Sequence, residues 1–163
     1  MHEIYRSRTI ASDTKAKDKI KYGIAWDDAY LIGYDTVDAQ HRKLFVMLSE
    51  LIEFCMLDLS SAKLSDTIAF LVEYTVRHFE DEEALQLQYC YPDYENHKKM
   101  HEEFKVTVAE IMADYVKNGS SAALSESVNK TIVRWLVSHI MGEDKKIGEH
   151  IAALKRPYPA ASK

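Results

Sequence analysis

Apolar residues recur in steps of three and four along most of the chain beyond residue 34. One such seam is Val37, His41, Leu44, Leu48, Leu51 and Cys55, and a second is Ile68, Leu71, Thr75, His78, Glu82, Leu85 and Tyr89. A third is Tyr94, His97, His101, Phe104, Val108, Ile111 and Tyr115, and a fourth is Leu124, Val128, Ile132, Trp135 and His139. At 3.6 residues per turn this rhythm lines up on one helical face, so it predicts four long amphipathic helices. They should run from Asp35 or Thr36 to Leu57, from Leu64 to Tyr89, from Asp93 to Val116, and from Ser120 or Ser121 to Met141. The bounds have local causes. Asp35, Thr36, Ser120 and Ser121 can accept from exposed first-turn amides, Pro92 cannot continue a helix, and Gly119 or Asn118 suits a left-handed stop. Gly142 weakens the fourth helix, and a shorter piece, Asp144 to Leu154, follows it.

Connections this short make neighbouring helices antiparallel. The expected fold is all-α: an up-down-up-down antiparallel four-helix bundle with an irregular N-terminal arm and a short C-terminal helix. Residues 1–23, polar and without period, form the arm; residues 24–154, entered through Ile24 and Trp26, form the bundle; residues 155–163 form a proline-bearing tail.

Composition adjusts this picture only at the margins. Of 163 residues, 47% are hydrophobic and 29% charged, which suits one domain with a sizeable core, while five glycines and three prolines are too few for a many-turned β architecture. A net charge of −5 gives no reason to expect nucleic acid or an anionic membrane as a partner. No apolar run reaches the ~18 residues of a membrane span, and residues 1–6 lack the apolar centre of a secretory signal, so the expected location is cytoplasmic. Cys55 and Cys90 lack metal-site spacing and read as free thiols.

The histidines change the picture more. Five of seven, His41, His78, His97, His101 and His139, lie on seams contributed by all four helices, while His2 and His150 need no role. His97 and His101, four residues apart, sit within about 40° of each other on one face, a spacing suited to gripping one ion. Each ring could instead be satisfied by a carbonyl or water. Five in one small core would then each need such a partner, and a shared metal explains their placement at lower cost. Glu82, four residues after His78 on the same seam, would be costly to bury unpaired; the alternative is a rotated helix that brings it to solvent with Glu80, Asp81 and Glu83.

Five nitrogens and a carboxylate exceed the ligands of a lone zinc site, so two ions with bridging carboxylates is the economical count. Named competitors do not fit. A zinc peptidase has Glu directly after the first histidine of its pair, where Lys98 stands. Ferritin-like diiron proteins place Glu three residues before a ligand histidine, where Asp38, Thr75, Tyr94, Lys98 and Leu136 stand. No glycine-rich phosphate loop or Ser/His/Asp hydrolase signature is evident.

The chain resembles the hemerythrins, specifically single-domain bacteriohemerythrins. The resemblance rests on Trp26, the run from Gly33 to His41, then His78-Phe79-Glu80-Asp81-Glu82, His97-Lys98-Lys99-Met100-His101, and the run from Trp135 to Asp144. It implies a non-haem diiron centre with an oxo or hydroxo bridge, in which His97, His101 and His139 bind one iron, His41 and His78 bind the other, and Glu82 and Asp144 bridge them. It implies further that dioxygen binds reversibly, as a hydroperoxide on the five-coordinate iron, in a pocket walled by Phe79, Leu136 and Ile140. The protein would then be a dioxygen binder for transport, storage or delivery and not an enzyme, and delivery would require an oxygen-consuming enzyme as recipient. A diiron redox enzyme, acting on peroxide, nitric oxide or ferrous iron, and an oxygen sensor are the alternatives. Ligand type alone admits iron, manganese, zinc or cobalt. Asp144 also strains against regular geometry: five residues after His139, it falls about 140° away around an ideal helix, whereas Glu143 would face the seam. The family pattern favours Asp144, with Gly142 permitting a local widening or a helix end.

Overall fold

A computed structural model describes residues 24–56, 61–119 and 121–155 of the chain. The expectations for residues 1–23, for Leu57 and Ser120, for the side chain of Cys55 and for the tail beyond Lys155 lie outside the described residues. The described residues are helical, with no strand among them. Helix α1 spans Asp35–Met56, α2 Ser61–Gln88 and α3 Tyr94–Asn118. A fourth rod then runs through α4 (Ala122–Ser127), a π-helical turn (Val128–Val133), α5 (Arg134–His139), a second π-helical turn (Ile140–Asp144) and α6 (Lys145–Leu154).

Helix ends follow their local chemistry. Cys90 closes α2 in the left-handed region, φ 50°, with Tyr91 N–H donating to Gln86 O at 2.8 Å and Cys90 N–H to Leu87 O at 3.1 Å, the paired bonds that satisfy terminal carbonyls. Gly119, φ 75°, ends α3 with its N–H on Tyr115 O. Ser121 Oγ accepts from Leu124 N–H at the start of α4. Cys90 is exposed and free.

The C-terminal helix does not stand apart from the fourth rod. Every junction residue from Ser127 to Lys145 keeps right-handed helical angles, and Gly142 lies inside the second π turn. There Lys145 N–H donates to Ile140 O, a five-residue closure in place of the usual four. The one extra residue widens the turn without ending the helix.

The seams meet in a common core. Leu44, Thr75, Phe104 and Leu136 line one narrow apolar cavity of about 20 Å³, with Leu48, Leu71, Val108 and Ile132 also on its wall. Relative to the nearest seam histidine the first four stand at +3, −3, +3 and −3, and the second four at +7, −7, +7 and −7. That alternation is what antiparallel neighbours produce, and it stacks the core in layers below the histidines. Above the bundle's flank, the lead-in is pinned by Ser49 Oγ donating to Ile24 O at 2.6 Å and by Trp26 and Tyr30 packed on Phe45. Asp38, 3% exposed, accepts from the amides of Ile32 at 2.8 Å and Gly33 at 3.1 Å.

Gly148 lets α6 come down on this lead-in, since a Cβ there would stand 1.9 Å from the carbonyl oxygen of Ile32 and 2.9 Å from its carbon. Both atoms are backbone, held in turn by Asp38, so the clash has no flexible relief. Gly148→Ala should therefore cost about 3 kcal/mol, the upper end of overpacking effects, read as a fall in urea midpoint at unchanged slope; an unchanged midpoint would show that the lead-in is not seated on α6.

Candidate metal centre

Seven polar side chains converge one layer above the apolar cavity. His41 on α1, His78 and Glu82 on α2, His97 and His101 on α3, His139 at the end of α5 and Asp144 at the end of the second π turn are all buried, none more than 5% exposed. Glu82 is 0% exposed, so α2 is not rotated to bring it to water. Glu143 instead turns outward and accepts from Lys146 at 2.7 Å. The π turn accounts for this choice. Its five-residue closure brings Asp144 back over His139, with Asp144 Oδ1 3.1 Å from His139 Nε2.

The Nε2 atoms of His97, His101 and His139 form a triangle with edges of 3.1, 3.1 and 3.2 Å. Mutual hydrogen bonds cannot explain it, because each imidazole nitrogen carries either a proton or a lone pair and cannot donate and accept around a ring of three. Adjacent ligands about 2.1 Å from one octahedral ion lie about 3.0 Å apart, and the triangle fits that spacing. Glu82 Oε2 caps one edge, 3.2 Å from His97 Nε2 and 3.3 Å from His101 Nε2. Asp144 reaches both sides: Oδ1 faces His97 and His139, and Oδ2 lies 3.3 Å from His41 Nε2. Two overlapping donor groups result, Glu82 with His97, His101 and His139, and Glu82 with His41 and His78.

Several of these atoms lack a protein hydrogen-bond partner: both nitrogens of His41, Nδ1 of His97, Oε1 of Glu82 and both oxygens of Asp144. Buried polar atoms are nearly always paired, and so many orphans in one place fit a site completed by cations. Electrostatics agree. Burial would push the Glu82 carboxyl up, but bonds from His101 and His97 outweigh it and hold it well below the ordinary range. Asp144 is pushed up by burial and by the Glu82 charge. Burial lowers His78 to about 3 and His139 to about 2. His97 goes the other way, its burial cost outweighed by the bond and charge of Glu82. Two carboxylates, one unwilling to ionise beside the other, and neutral inward-facing imidazoles make a donor set suited to a multivalent cation.

The residues expected to wall a ligand pocket are all buried. Phe79 stacks flat on His101 at 3.8 Å between ring centres, Leu136 lines the cavity beneath, and Ile140 is fully buried. Trp135, half-buried, covers His139 at 4.2 Å. Sequence reasoning missed three polar neighbours. Gln40 and Glu83 face ring nitrogens of His78 and His101, each at 3.0 Å. Their only signal was adjacency in sequence to His41 and Glu82. Gln86, one turn beyond Glu82, is 0% exposed with neither amide atom bonded, and the seam traced through Leu85 passed it over.

Comparison with known proteins follows the same lines. The family description that matches, over residues 32–151, is the hemerythrin HHE cation binding domain. The chain belongs to the hemerythrin family. It is 32% identical over 130 residues to a bacteriohemerythrin of Stenotrophomonas maltophilia, an alignment covering 80% of this chain and 82% of that protein. It is 32% identical over 121 residues to a myohemerythrin of Theromyzon tessulatum, covering 74% of this chain and 88% of the relative. A solved wild-type hemerythrin superposes with a TM-score of 0.70 at 22% identity, over 79% of this chain and 98% of that one, a likeness of fold. No described helix of this hemerythrin-family chain is long and apolar enough to cross a membrane.

In the metal-free protein, His78 and His139 stay neutral when folded but titrate near 6.5 when unfolded. Their contribution is present above pH 6.5 and lost as pH falls toward their folded values. His97, raised, is protonated in both states below 6.5 and adds no slope there, Glu82 acts only below 4.5, and Asp144 opposes by taking up a proton when folded. Unfolding free energy should thus fall between pH 6.5 and 4.5 with a slope of one to two protons, about 1.4–2.7 kcal/mol per pH unit. Urea titrations across that window check it; a flat profile would contradict neutral buried rings.

Proposed function

We propose that this chain binds dioxygen reversibly at a centre of two iron ions, without net turnover. His97, His101 and His139 would hold one ion, His41 and His78 the other, and Glu82 and Asp144 would join them. The observation that carries the reading is the reach of Asp144, whose two oxygens face different histidine groups. Three nitrogens against two would leave one ion with an open position. A diiron pair supplies the two electrons that bound dioxygen takes up and returns.

The chain's own residues supply orientation and exclusion. Phe79, Leu136 and Ile140 would form an apolar wall beside the histidines, and a small apolar cavity at this depth stays dry, which slows the entry of the water and protons that let dioxygen oxidise the metal pair without being returned. Among the described residues, the buried carboxyl and imidazole side chains are the seven donors and Asp38. Asp38 is occupied by the amides of Ile32 and Gly33. No fully buried carboxyl or imidazole beyond the donors is free of a partner, which favours carriage over a redox enzyme. The relatives' names, bacteriohemerythrin and myohemerythrin, support the same reading.

Iron-loaded protein, reduced without air and then exposed to it, should develop a visible absorption band that disappears when dioxygen is removed. A protein that stays colourless with two irons bound would sink the proposal. Replacing His101 removes a corner of the nitrogen triangle, so His101→Ala should lower iron content first and dioxygen uptake as a consequence. Metal analysis by mass spectrometry checks the order of loss, and a variant that keeps two irons per chain would refute the assignment.

A further inference from the structure

We propose that Glu83 and Gln40 are positioning residues that make the two halves of this centre unequal, by placing a charged acceptor behind His101 and a neutral one behind His78. The inference rests on the two-metal reading above.

Glu83 follows Glu82 on α2, about 100° further around the helix, and so leaves the seam toward α3. Its side chain is 14% exposed, and Oε1 accepts from the Nδ1 side of His101 at 3.0 Å. Gln40 precedes His41 on α1 in the same manner, and its Oε1 accepts from the Nδ1 side of His78 at 3.0 Å. The Gln40 amide is itself oriented, because its Nε2 donates to Asp81 Oδ2 at 2.6 Å. Each contact therefore ties a ring on one helix to a polar side chain on its neighbour.

A neutral imidazole has one N–H. With Nδ1–H directed outward in both rings, both Nε2 lone pairs face the centre, so glutamate and glutamine orient the rings equally well. They do not tune them equally. A carboxylate draws the Nδ1 proton more strongly than an amide carbonyl does, and so makes the opposite nitrogen the better donor. His101 thus reinforces the three-histidine half, already the richer in nitrogen, while His78 leaves the two-histidine half the weaker donor. The half with the open position is the one kept electron-poor and loosely held.

Exchanging the two acceptors separates tuning from mere orientation: Glu83→Gln keeps the bond to His101 and removes its charge, and Gln40→Glu, made together with Asp81→Asn so that the new carboxylate still meets a donor at that position, keeps the bond to His78 and adds charge. The experiment loads the full chain, labelled with 15N-histidine, with zinc, which is diamagnetic. It reads histidine ring shifts by NMR alongside zinc release to a competing chelator. Wild-type protein should hold two zinc ions that leave in two steps. Glu83→Gln should weaken the tighter zinc about 10-fold, within the range typical of such partners, and move the His101 ring shifts toward those of His78. Gln40→Glu with Asp81→Asn should tighten the looser zinc and move His78 the other way, and all three substitutions together should exchange the two ring signatures. If both variants bind two zinc ions with release steps and ring shifts unchanged from wild type, the inference is overturned while the two-metal reading stands. Wild-type protein holding fewer than two zinc ions overturns both.

Discussion

Five imidazoles and two carboxylates stand in the core of a small helical bundle, where unpaired polar groups are expensive. The three Nε2 atoms of His97, His101 and His139 crowd to within 3.1–3.2 Å, a distance at which lone pairs repel unless something positive stands between them. Leu44, Thr75, Phe104 and Leu136 form the apolar floor directly beneath. The bundle supplies the rigidity, and the cluster determines what that rigidity is for.

Antiparallel packing and one irregular turn bring the donors together. Because neighbouring helices alternate in direction, histidines at different heights in the sequence arrive in one layer, and residues three and seven positions away line the layers below. The fourth rod could not contribute both His139 and Asp144 as a regular helix. The π turn at Ile140–Asp144 supplies the extra residue that swings Asp144 over the histidines. Such turns cost hydrogen-bond quality, and this one sets Asp144 Oδ1 3.1 Å from His139 Nε2.

Most of this was legible in the sequence because three-four periodicity states which face is buried, and histidines on that face are conspicuous. Helix bounds fell within a few residues of the structural ones, and Gly119 took the left-handed stop. The fourth rod was less legible: Gly142 admitted either a local widening or a helix end, and the backbone widens and continues, since a five-residue closure looks like a break to a pattern tuned to 3.6. The choice between Glu143 and Asp144 turned on that same closure. Gln40 and Glu83 escaped notice because their partners lie on other helices, 38 and 18 residues away, and only the packed bundle sets them beside a ring. Gln86, four residues after Glu82, shares its buried face, but the seam was traced through its apolar neighbour Leu85 and the amide was passed over.

Seven side chains from the four rods would hold two metal ions, with Asp144 and Glu82 shared between them. Anomalous scattering at the iron edge from crystals of iron-loaded protein tests it most directly. Two peaks about 3.5 Å apart are expected, one within bonding distance of His97, His101 and His139, the other of His41 and His78, with both carboxylates between them. A single peak, or peaks ligated by other residues, would contradict it.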